Sequence, residues 1–90
     1  MNKFIIDLWV NNRFGVLHRI SGLCARRGYN IESIHADPTE DPRITKIEIV
    51  SMGDEYLRTQ VVSQMEKLYD VREVTITCVD TDPAAQPPQM

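Results

Sequence analysis

Phe4, Ile6, Leu8 and Val10 alternate with Ile5, Asp7, Trp9 and Asn11. A period of two predicts a strand with the first set turned toward a core. Asn11 or Asn12 ends that strand and can cap a helix. The period then changes: Val16, Leu17, Ile20, Leu23 and Cys24 recur at helical spacing, with His18, Arg19, Arg26 and Arg27 mostly on the opposite side. Gly28 suits the left-handed residue just past a helix. Asn30 to Asp37 is expected to be a second strand, with Ile34 and Ala36 inward. Pro38-Thr39-Glu40-Asp41-Pro42 is a turn, because its two prolines cannot continue a hydrogen-bonded ladder. Ile44 to Ser51 is predicted as a third strand with Ile47 and Ile49 inward. Gly53-Asp54 breaks it and starts a second helix with an apolar stripe of Leu57, Val61, Met65 and Leu68. Val71 to Val79 completes the pattern as a fourth strand, with Val74, Ile76 and Cys78 on one face.

The order βαββαβ has few solutions. Two helices with apolar stripes must cover one face of one four-stranded antiparallel sheet. Right-handed crossovers make it an α+β, ferredoxin-like sandwich with strand order 4-1-3-2. The second strand is then an exposed edge. Between Ile31 and Ala36 it carries one carboxylate and one imidazole but no Lys or Pro, the residues that usually protect an edge. Two copies are therefore expected to pair edge to edge as a homodimer or larger. Asp80 to Met90 holds three prolines and no periodic pattern. The expected division is one domain over residues 1–80 and a disordered tail over 81–90.

Composition narrows the partners. Ninety residues suit one domain, and the net charge of −3 argues against a nucleic-acid backbone or an anionic membrane as the main partner. Arg13, His18, Arg19, Arg26 and Arg27 lie close together, but they read as a solvated helix face. Cys24 and Cys78 fall in apolar periodic segments, as small buried thiols of a reducing compartment would. No signal peptide or membrane-length apolar run is visible, so the expected location is the cytoplasm. His18 and His35 have no ligand-forming neighbours at metal-binding spacing, so no metal is expected. No nucleophile–base set and no phosphate-binding glycine loop is recognisable, so no catalytic residue is assigned. Trp9 falls outside the core set, on the open face of the sheet, and is a candidate contact for a partner.

The chemistry concentrates at the first strand-to-helix junction, Asn11-Asn12-Arg13-Phe14-Gly15-Val16-Leu17, and at Arg26-Arg27-Gly28-Tyr29-Asn30-Ile31-Glu32-Ser33. Backbone N–H groups at a helix start attract a small anion. A glycine there lets a ligand approach the backbone closely. A side-chain amide nearby completes a site for a carboxylate, and an amino acid is the first ligand to expect. Each residue also has a purely structural use: Gly15 as relief of crowding, Asn12 as a helix cap, Asn30 as a left-handed turn residue.

These two runs, with Pro38-Thr39-Glu40-Asp41-Pro42, Gly53-Asp54-Glu55 and Gln64-Met65-Glu66-Lys67-Leu68-Tyr69-Asp70-Val71, resemble the ACT domain of the small, regulatory subunit of acetolactate synthase, also called acetohydroxyacid synthase. The resemblance spans roughly residues 3–78, and the Arg-Arg-Gly-Tyr-Asn-Ile-Glu-Ser run is narrower than a generic ACT signature. It implies a regulatory chain that is not itself an enzyme. Such a chain binds valine, or the related leucine or isoleucine, at an ACT dimer interface. It activates a separate catalytic subunit and makes it sensitive to feedback inhibition. Carried over residue by residue, the ligand-binding set is Asn12, Gly15, Val16, Leu17, Asn30 and Ile31, with Asn30 reaching the site from the neighbouring protomer. Thiamine diphosphate, Mg²⁺ and flavin would belong to the catalytic subunit, and no cofactor is expected here. One departure stands out: the family's loop usually has proline where this chain has Phe14, which adds a bulky ring beside the site. Members often carry a second domain that these ninety residues do not include. The main alternative is a free-standing ACT-domain amino-acid sensor or dimerisation module. An acylphosphatase-like enzyme would use Arg13 but lacks its glycine-rich cradle. An RNA-binding module would need aromatic residues on the central strands to stack bases, and the third strand has none.

Overall fold

The computed structural model describes residues 2–79, so the predicted tail over 81–90 lies outside the described residues. The elements are β1 (Asn2–Asn11), α1 (Val16–Arg27), β2 (Asn30–Pro38), β3 (Ile44–Gly53), α2 (Glu55–Glu66) and β4 (Val71–Val79). They form one antiparallel sheet in the order β2-β3-β1-β4, which is the predicted 4-1-3-2 read from the other side.

The core follows from the two periods. β1 lies centrally and buries Phe4, Ile6, Leu8 and Val10, which pair in register with Ser51, Ile49, Ile47 and Thr45 of β3. Val16, Ile20, Leu23 and Cys24 of α1, and Val61 and Met65 of α2, pack into the same cluster. Both helices therefore cover one face. The ends of the helices are set by local chemistry. Asp54 caps α2, its carboxylate accepting from the Leu57 N–H at 2.8 Å. Gly28 ends α1 in the left-handed region at φ 70°, where a Cβ would be strained. The Tyr29 N–H then returns to the Cys24 carbonyl at 3.1 Å.

Four sequence expectations are corrected. Neither Asn11 nor Asn12 caps α1: Gly15 occupies that position at φ 86°, and no side chain caps the helix. β2 does not alternate strictly. Its pairing to β3 slips between Ile31 and Ser33, so Ile31 opposes Ser51 while Ile34 opposes Ile49. The extra residue, Glu32, places both isoleucines on the core side, as a bulge does. Ala36, expected on the core side, opposes Ile47 but is exposed, where it borders a cavity at the sheet edge. Cys78 is likewise exposed, near the end of the other edge strand, whereas Cys24 is buried.

Trp9 is half-buried on the open face, where Lys46, its partner across the ladder, places Nζ 5.6 Å from the ring centroid. Ser51 is fully buried, and its hydroxyl donates to the Asn30 carbonyl at 2.7 Å. That bond fixes the start of β2 beside the bulge without leaving a buried polar group unpaired.

Candidate functional site

The β1–α1 loop, residues 12–15, is held from both sides. The Asn11 N–H donates to the Asp70 carbonyl at 2.8 Å, and the Asn12 N–H donates to the Arg43 carbonyl at 2.7 Å. Asn12 Nδ2 donates to the Pro42 carbonyl at 3.0 Å. Asn12 thus joins the loop to the β2–β3 turn, while its Oδ1 takes no hydrogen bond from the described residues. That turn is itself braced: Thr39 Oγ1 lies 2.9 Å from the carbonyl oxygens of both Asp41 and Ile44, either of which can take its one proton, and Arg43 grips both carboxylate oxygens of Asp41. These bonds from Arg43 hold the Asp41 carboxyl below its ordinary pKa.

The first turn of α1 has no acidic residue and no side-chain cap. The Val16 N–H reaches the Arg13 carbonyl at 3.3 Å, and the Arg19 N–H reaches the Gly15 carbonyl at 2.9 Å. The amides of Leu17 and His18, between them, have no acceptor among the described residues. Two adjacent free donors at the positive end of a helix dipole are the kind of group that can receive an anion. Gly15, beside them, adds no side chain, and nothing lies within 4 Å of where a Cβ would be. A cavity of about 160 Å³ opens here, with apolar walls from Val10, Val16, Leu17, Ala36 and Ile47 and polar groups from Asn11, Asn12, Arg13 and Thr45.

Asn30 and Ile31 lie elsewhere. They border a second cavity, of about 370 Å³, with Ser21, Cys24, Tyr29 and Ile34. This cavity adjoins the C-terminal half of α1, whereas the first adjoins its start. The helix has twelve residues, so its ends are about 18 Å apart at the usual rise. Within one chain the six candidate residues therefore form two groups, Asn12, Gly15, Val16 and Leu17 at one end of α1, Asn30 and Ile31 toward the other. Burial raises the pKa of the Cys24 thiol and of the Tyr29 hydroxyl. The Tyr29 Oη is buried with no hydrogen-bond partner among the described residues.

Sequence reasoning missed a cluster around Asp70. This carboxylate has a side-chain exposure of only 6%. Its Oδ1 accepts from Asn11 Nδ2 at 3.1 Å and from Arg13 Nη1 at 3.2 Å, and its Oδ2 accepts from Arg19 Nη1 at 3.2 Å. Arg72 Nη1 donates to Asn11 Oδ1 at 3.1 Å, and the Arg13 guanidinium lies 5.9 Å from the centre of the Tyr69 ring. The partners are more than fifty positions apart in sequence, so no local spacing announces them. Phe14, at the tip of the same loop, is fully exposed. No group of three or more His, Cys, Asp or Glu among the described residues could hold a metal ion, and none of their helices is long and apolar enough to cross a membrane.

A βαββαβ sandwich with an opening at its first strand–helix junction defines a ferredoxin-like domain, the class to which ACT domains belong. Comparison with known proteins narrows this further: the family model described as "AHAS small subunit-like ACT domain" matches residues 6–73, and the chain belongs to that family. It is 45% identical over 75 residues to the acetolactate synthase small subunit of Buchnera aphidicola subsp. Baizongia pistaciae, covering 83% of this chain and 47% of that one. It is 41% identical over 71 residues to the acetolactate synthase isozyme 3 small subunit of Escherichia coli K12, covering 79% and 44%. Among solved structures, the acetolactate synthase small subunit of Thermotoga maritima superposes with a TM-score of 0.78 at 32% identity, covering 93% of this chain and 51% of that one. The chain thus spans about half the length of these relatives.

Proposed function

We propose that this chain acts as a regulatory subunit of acetolactate synthase in the cytoplasm. It binds a branched-chain amino acid, valine first among them, between two copies of the domain, and through that ligand it controls a separate catalytic subunit. The observation that carries the reading is the uncapped, acid-free start of α1 beside a cavity with apolar walls. The free amides of Leu17 and His18 suit a carboxylate, and Asn12 Oδ1 suits an ammonium group. The apolar walls suit a branched aliphatic side chain.

The separation of the two residue groups supports a shared site. β2 is a sheet edge. If two copies pair antiparallel along β2 about an axis near Ile34, the Asn30 end of each strand meets the Pro38 end of the other. Asn30 and Ile31 of one protomer then come to the side on which Ala36 of the other borders the smaller cavity. A pairing of this kind is isologous and closes as a dimer.

The test is an activity assay. Catalytic subunit of the same source is assayed alone, with this chain, and with this chain plus valine. The expected result is higher activity on mixing and a fall when valine is added. If the chain neither activates nor confers sensitivity to valine, leucine or isoleucine, the regulatory-subunit reading fails. Calorimetric binding of an amino acid in that case would favour the free-standing sensor.

A further inference from the structure

We infer that Asp70 is the positioning residue of the β1–α1 loop, the group that holds the start of α1 in the geometry that receives a ligand carboxylate. This rests on the reading of that loop as an amino-acid site.

The loop cannot hold itself. Residues 11–15 contain no proline, and Gly15 is the most permissive residue available for a backbone at φ 86°. Order comes from outside on two sides: the β2–β3 turn holds Asn12 through the Arg43 and Pro42 carbonyls, and Asp70 holds the residues on either side of it. Asp70 is the one charged residue in the buried set among the described residues. Burying a carboxylate is costly unless its oxygens are paired. Here both are, and the donors come from the last residue of β1, from the loop and from the helix it leads into. Asn11 and Arg13 precede Gly15, and Arg19 follows it by one turn of α1. One carboxylate therefore clamps both ends of the segment that carries the free Leu17 and His18 amides. The Asp70 carbonyl adds a fourth tie, to the Asn11 N–H.

The clamp also manages charge. Arg13 and Arg19 flank a helix start whose dipole disfavours cations, and the helix's own first turn has no acid to balance them. Asp70 draws both guanidinium groups toward itself, at 3.2 Å each. Without it, two mobile cations would stand next to the anion site. They could pair with any anion nearby rather than with a carboxylate docked on the amides.

The experiment compares the full-length chain with its Asp70→Asn variant, which keeps the side chain's size and removes its charge. Amide hydrogen exchange is measured without ligand, and L-valine and L-valinamide are titrated by calorimetry. In the variant, the hydrogen-bonded amides of Asn12, Arg13, Val16 and Arg19 should exchange at least tenfold faster than in the wild type, with β3 little changed. Affinity for valine should fall at least fivefold. The preference for valine over valinamide, which reports carboxylate recognition, should shrink. A merely structural carboxylate would lower the melting temperature and leave that preference alone. Equal valine affinity and equal preference in the folded variant would overturn the inference. If Asp70→Asn does not fold, the double variant Arg13→Gln/Arg19→Gln opens the same clamp from its exposed side and carries the same expectations. If the wild type binds no branched-chain amino acid at all, the amino-acid site itself is wrong and the positioning role falls with it. Binding by wild type with an unaffected variant refutes the positioning role alone.

Discussion

Gly15 has room for a side chain but not the backbone for one. No atom lies within 4 Å of where a Cβ would sit, yet its φ of 86° strains any L residue by about 1–2 kcal/mol. This separates two effects that a single substitution would confuse. Gly15→Ala adds the strain alone. Gly15→Asp adds the strain and a negative charge where a ligand carboxylate would dock. Losing a charge-assisted contact costs about 1.5–3 kcal/mol. Valine affinity should therefore fall at least tenfold further in the aspartate variant than in the alanine variant, both checked for folding by circular dichroism. Equal losses in the two would remove the anion-site assignment at Gly15. The glycine itself was legible in the sequence, because a glycine between a strand pattern and a helix pattern has few uses. The role of Asn12 was not. Its amide is occupied by the Pro42 carbonyl, thirty positions away, and no periodicity reports such a bond.

At the scale of elements, β1 was legible because its alternation is strict and its burial follows it residue by residue. β2 was less so. Ile31 and Ile34 have odd spacing, which strict alternation sends to opposite faces. The bulge that reunites them depends on pairing with β3, which is information held in another strand. The start of α1 shows the same limit: two asparagines advertise a cap, but the chain turns three residues later, at Gly15. The C-terminal end of α1 is the opposite case, where a local rule suffices. Gly28 sits at φ 70° with nothing within 4 Å of where a Cβ would sit, so only the backbone angle opposes a larger residue. Gly28→Ala should destabilise the fold by about 1 kcal/mol, read as a shifted denaturant midpoint with an unchanged slope. A midpoint at or above that of the wild type would show that α1 ends for another reason. Asp70 lies beyond any local rule. Its sequence context is a turn before a strand, and its three side-chain donors come from the opposite end of the chain.

For the whole molecule the question is how one ligand could control another protein. Ligand binding shifts an activity only through unequal affinity for two states of the complex. A site completed by two protomers has that property if their arrangement differs between the states. The dimer is therefore the first thing to establish. Along a strand, neighbouring residues direct their N–H groups to opposite sides. Of the exposed pair His35→Pro and Ala36→Pro, one should remove only an outward donor. That variant should stay folded and sediment as a monomer while the wild type sediments as a dimer. A wild-type chain that is monomeric at micromolar concentration excludes the shared site. With the dimer in hand, Asn30 becomes the discriminating residue. Its side chain is exposed at the start of β2, and the hydrogen bond that anchors this point uses its carbonyl, not its amide. Asn30→Ala should therefore leave the fold and the surface offered to a catalytic subunit in place. It should remove one ligand contact from across the dimer seam. In an assay with the catalytic subunit, activation by the variant should match that of the wild type. The valine concentration for half-inhibition should rise severalfold, about fivefold or more if one neutral hydrogen bond of about 1 kcal/mol is lost. Loss of activation and inhibition together would place Asn30 at the contact with the catalytic subunit instead. Unchanged inhibition would leave the ligand site within a single protomer, at the start of α1.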